Sequence, residues 1–89
     1  MTSDESRLLG EIHALADAVQ RDTGRYCHVS AGHHHDGVVD VRVDIHISEP
    51  GEPHKFDRWD TAIQCLTITE VRDELAQWIA SNRKQEEAA

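Results

Sequence analysis

The side chains with chemistry to offer are histidines. The 89-residue chain has seven, and His28, His33, His34, His35 and His46 all fall between Tyr26 and Ser48. An imidazole can ligate a metal ion, or change charge near neutrality. Two imidazoles and a carboxylate within reach of one another suit a zinc-type ion with an open coordination position. His28, Asp44 and His46 are the candidate set, with zinc as the implied cofactor; the plainer reading is a polar strand face. His33, His34 and His35 cannot easily grip one ion, because successive strand residues point to opposite faces. A polar turn, or a pH-responsive contact, is what that run offers.

Nucleophilic catalysis needs a Ser, Cys or Thr set against a base. Cys27 is expected on a core face, Ser30 beside Arg42, and Cys65 at the flank of an apolar stripe, with no base aimed at any of them. No glycine-rich phosphate loop is present. The chain is therefore expected not to be an enzyme.

The histidines are positioned by what reads as a β-hairpin. Val39, Val41, Val43, Ile45 and Ile47 alternate with Asp40, Arg42, Asp44, His46 and Ser48, the period of a half-buried strand. Cys27, Val29 and Ala31 alternate more weakly. A two-residue turn at Asp36-Gly37 would put Cys27, Val29 and Ala31 on the face of Arg42, Asp44 and His46. A slip of one residue flips every side chain, so that register is rejected. A three-residue loop, His35-Asp36-Gly37 with Gly37 left-handed, pairs Ala31 with Val41, Val29 with Val43 and Cys27 with Ile45. The other face then carries Ser30 beside Arg42, His28 beside Asp44 and Tyr26 beside His46.

Helices are expected on either side. Leu8, Ile12, Leu15 and Val19 recur at helical spacing over about Asp4 to Asp22, widened by Leu9 and Ala16. Thr2 and Glu5 read as a capping box, Asp17 and Arg21 are spaced to pair, and Gly24 stops the helix. His13 is expected to be partly buried at the stripe's edge. His54-Lys55-Phe56 can add a short third strand, with Phe56 entering the core. Asp57 reads as the N-cap of a short helix, about Arg58 to Cys65, burying Trp59, Ala62, Ile63 and Leu66. A Thr67–Glu70 capping box and a Leu66–Val71 staple open the last helix, about Ile68 to Arg83, with Ile68, Val71, Leu75, Trp78 and Ile79 inward. Residues 84–89 read as a frayed tail. The expected architecture is one α+β domain over 1–89: an antiparallel hairpin, with or without the third strand, covered on one face by three helices.

Seventeen acidic against nine basic residues give a formal charge of −8, and no basic patch for nucleic acid is visible. Absence of a signal-like start and of a membrane-length apolar run points to a cytoplasmic protein without a membrane partner. The function these features favour is a small acidic protein–protein interaction module. Its partner would be a protein with a basic, nucleic-acid-binding surface, as for inhibitors encoded by viruses or mobile elements. The chain is similar to those in size and charge only. The expected contact residues are Tyr26, His34, Asp40, Arg42, Asp44 and His46 on the hairpin and Glu70, Asp73 and Glu74 on the last helix. A homodimer through a sheet edge is a further expectation, and a zinc-binding domain using the hairpin histidines is the alternative.

Overall fold

The computed structural model describes residues 3–49 and 51–83. Thr2, half of the first expected capping box, and the tail 84–89 lie outside them. The order is α1 (Ser3–Thr23), β1 (Cys27–His33), β2 (Val39–His46), β3 (Phe56–Asp60) and α2 (Ile68–Asn82). The strands form an antiparallel sheet in the order β1-β2-β3, with both helices on one face. No helix among the described residues is long and apolar enough to cross a membrane.

The hairpin has the register required by its apolar pattern. Cys27 pairs with Ile45, Val29 with Val43 and Ala31 with Val41. The turn closes through His34 N to the Val38 carbonyl at 2.9 Å and Gly37 N to the His34 carbonyl at 3.0 Å. Gly37 has φ +91°, which a residue without Cβ adopts at little cost.

The core lies between this sheet face and the helices. Val41, Val43 and Ile45 from β2, Ile12 and Val19 from α1, and Val71 and Leu75 from α2 are all fully buried. Each such side chain contributes about 1.5–3 kcal/mol relative to exposure. α1 ends where Gly24, at φ +76°, donates to the Gln20 carbonyl at 3.0 Å. The capping box of α2 is complete: Glu70 N donates to Thr67 Oγ1 at 3.0 Å, and Thr67 N to Glu70 Oε1 at 2.9 Å. Arg72 ties the helices together by pairing with Glu11 at 3.3 Å.

The short helix at Arg58–Cys65 does not form, so two helices rather than three cover the sheet. Its first residues instead belong to β3, where Trp59 pairs with Val43 and Asp57 with Ile45. The strand occupies the second side of β2, whose peptide groups would otherwise lack partners. Asp57 is thus no N-cap; its carboxylate accepts the Trp78 indole N–H at 2.7 Å. Phe56, expected in the core, is on the opposite face beside His46. The chain then turns on Asp60, whose Oδ1 accepts from Ile63 N at 2.5 Å and Gln64 N at 2.9 Å. Ile63 is left 80% exposed, against the apolar stripe expected of it. His13 is likewise exposed rather than partly buried.

Candidate functional site

The helix-free face of the sheet gathers what the alternation sends outward. At one end, five rings meet. Tyr26 approaches His46 edge-on with centroids 4.9 Å apart, and His46 approaches Phe56 edge-on at 4.5 Å. His28 stacks towards Tyr26 at 6.5 Å, and His54 towards Phe56 at the same distance. The Arg58 guanidinium lies 5.9 Å from the Phe56 centroid, within cation–π range. Tyr26 is 57% and Phe56 42% exposed, although the domain has few aromatic residues with which to build a core.

The middle of the face is electrostatically closed. Asp44 sits opposite His28 as the register requires, yet it is only 6% exposed. Its carboxylate takes the Arg58 guanidinium on one oxygen and Arg42 at 3.3 Å on the other. The hydrogen bond and charge of Asp44 together raise the Arg58 pKa above its ordinary value. His28, Asp44 and His46 therefore share a face, but Asp44 already has two cationic partners and His46 is packed among rings. Among the described residues, no three His, Cys, Asp or Glu side chains converge as metal ligands would.

At the hairpin end of the face, a recess of about 320 Å³ is lined by Ser30, Gly32, Arg42, Asp60 and the exposed Ile63. Asp60 is 3% exposed. Its pKa is lowered chiefly by the Gln64 backbone N–H, which outweighs burial, with help from Ile63 N–H and Arg58.

The expected contact residues do not form one surface. Tyr26, Asp40, Arg42, Asp44 and His46 share the open face. His34 and Asp40 pair near the hairpin tip, with His34 Nε2 2.6 Å from Asp40 Oδ2. Glu70, Asp73 and Glu74 are on α2, which covers the other side of the sheet. Glu70 is engaged in its cap, and Asp73 with Arg72 at 2.9 Å. Phe56, His54 and Arg58 belong to the site and were missed: the expected short strand sent Phe56 to the core face, and reading 58–65 as a helix took Arg58 out of the sheet.

His34 gives a direct test of the tip. The Asp40 hydrogen bond, then its charge, raises the His34 pKa above 6.5. The protonated pair supports the tip below pH 6.5 and is lost as pH rises through the raised value. Nuclear magnetic resonance titration should give a His34 midpoint above 6.5 that falls back towards 6.5 in Asp40→Asn. A midpoint at or below 6.5 in the unaltered protein would mean that the pair does not form in solution.

Neither thiol is set up as a nucleophile. Burial, with a smaller contribution from the Asp44 charge, pushes the Cys27 pKa up to about 11. Cys65 is exposed at φ +58°, at the end of the turn before α2. No protein-family model, curated protein or solved structure matches the chain.

Proposed function

We propose that this domain is a non-enzymatic interaction module whose docking surface is the helix-free sheet face, and whose partner is a protein with a basic surface. The observation that carries the reading is the pair of exposed rings, Tyr26 and Phe56, on either side of the half-buried His46. Large rings left in water on a rigid sheet are typical anchors of protein interfaces. Their faces also suit guanidinium and ammonium groups, as the Arg58–Phe56 contact illustrates within the chain. The −8 charge would steer such a partner to the domain and speed encounter. A partner that binds nucleic acid fits this chemistry, and its inhibition by occupation of the phosphate groove is the form we favour. Free Cys27 and Cys65 are compatible with a reducing cytoplasm. The zinc reading is less supported, since Asp44 would have to give up both arginines to the ion.

The test uses a fluorescently labelled arginine-rich peptide as a stand-in for the partner, with binding followed by anisotropy. Affinity should fall as salt rises to physiological strength. Tyr26→Ala/Phe56→Ala should bind at least about tenfold more weakly. Its far-ultraviolet circular dichroism should be unchanged, because both rings lie outside the core. A salt-independent affinity, or equal binding by the double variant, would overturn the reading.

A further inference from the structure

The two rims of the sheet differ. On β3, the Gln64 side chain lies along the rim in place of another strand. Asp60 N donates to Gln64 Oε1 at 3.2 Å, and Gln64 Nε2 donates to the Arg58 carbonyl at 2.9 Å. Leu66 N reaches the Asp60 carbonyl at 3.4 Å. The chain itself therefore closes this rim where β3 ends.

The β1 rim is open. His46 N donates to the Tyr26 carbonyl and His34 N to the Val38 carbonyl, so the even-numbered residues of this ribbon turn their peptide groups towards β2. Antiparallel alternation sends the N–H and C=O of Cys27, Val29, Ala31 and His33 outward. Among the described residues, none of these groups has a hydrogen-bond partner. The strand, Cys-His-Val-Ser-Ala-Gly-His, also carries no Lys, Arg, Asp, Glu or Pro, the side chains that ordinarily guard an exposed rim.

We propose that β1 pairs antiparallel with β1 of a second copy of this chain, about a two-fold axis at Ser30, to make one continuous sheet. This register uses the whole strand. Cys27 meets His33 of the second copy and Val29 meets Ala31, so all four outward residues exchange hydrogen bonds in both directions. On the open face, Ser30 meets its own copy. His28 meets Gly32, where there is open space above the glycine for an imidazole. No like charges oppose each other in the ladder.

The helix side fits as well. Between α1 and β1 lies a recess of about 400 Å³ lined by His13, Asp17, Gln20, Cys27 and Val29. The His33 side chain of the second copy, opposite Cys27 and on its side of the sheet, would enter this recess beside Asp17. Asp17 makes no ion pair among the described residues. Arg21, its expected partner, turns instead to Asp22 at 3.5 Å. An acid left unpaired beside an unguarded rim thus meets an imidazole delivered by that same rim.

Self-pairing is independent of the basic-partner reading, and salt separates the two. Two chains of like charge repel at long range, so higher salt should favour pairing, whereas it weakens capture of a basic peptide.

The experiment places a cysteine on the axis, in a chain carrying Cys65→Ser. Paired residues at a position without ladder hydrogen bonds lie about 4.5 Å apart at Cα, within disulfide reach. Ser30→Cys should therefore form a disulfide-linked dimer on mild oxidation, while Ser81→Cys on α2 should not. Sedimentation of the unaltered protein should give twice the 10.0 kDa chain mass at high concentration. Ala31→Pro removes an outward N–H while keeping the β1–β2 ladder, and should weaken dimerisation about tenfold or more. A purely monomeric protein at raised salt, or cross-linking at Ser81→Cys as fast as at Ser30→Cys, would overturn the proposal. The cross-link decides the matter even if the proline variant fails to fold.

Discussion

Ile45→Ala is expected to cost about 2–5 kcal/mol, the usual range for truncating a fully buried aliphatic side chain. Ile45 is completely buried in the central strand, opposite Cys27 on one side and Asp57 on the other. The small core leaves little else to compensate, and a domain of this size has a reserve of only about 5–15 kcal/mol. Urea denaturation should show a midpoint lowered by roughly 2 M or more with an unchanged slope, taking a slope of roughly 1 kcal/mol/M for a small chain. A midpoint within experimental error of the unaltered protein would show that the valine-rich strand does not face the helices.

Gly37→Val should destabilise by roughly 1–3 kcal/mol for a different reason. The loop holds residue 37 at φ +91°, a conformation disfavoured for a β-branched side chain. A Cβ there would meet no heavy atom within 4 Å, so the penalty comes from the backbone and not from crowding. Gly37→Asn should be milder, since asparagine tolerates left-handed backbone better. If valine and asparagine behaved alike in denaturation, the three-residue loop would be the wrong turn, and the hairpin register built on it would fall too.

That register was legible because two constraints coincided. Eight residues of strict alternation determined which side of β2 is apolar, and only one loop length brought Cys27, Val29 and Ala31 to that side. The capping box of α2 was legible for a similar reason, since Thr67 and Glu70 satisfy each other's backbone groups locally. β3 was not legible. Trp59, Ala62, Ile63 and Leu66 match a helical stripe, and nothing nearby in the sequence announces that β2 needs a neighbour on its second side. The deciding interactions are distant or belong to the turn: Asp57 with Trp78, and Asp60 with the amides of Ile63 and Gln64. Two of the five rings were misplaced as a result. Tyr26, His28 and His46 followed from the hairpin, whereas Phe56 and His54 required the third strand. The fate of Asp44 was hidden likewise, because Arg58 reaches it from β3.

The amide of Gln64 has a consequence for how far any assembly can grow. A ribbon that can be joined from both flanks invites endless stacking of copies, the route by which pleated proteins become fibres. Here the end of one flank is occupied by a side chain of the same molecule. A two-fold pairing through β1 would use the same rim of both copies and so close after a single addition, leaving a finite particle.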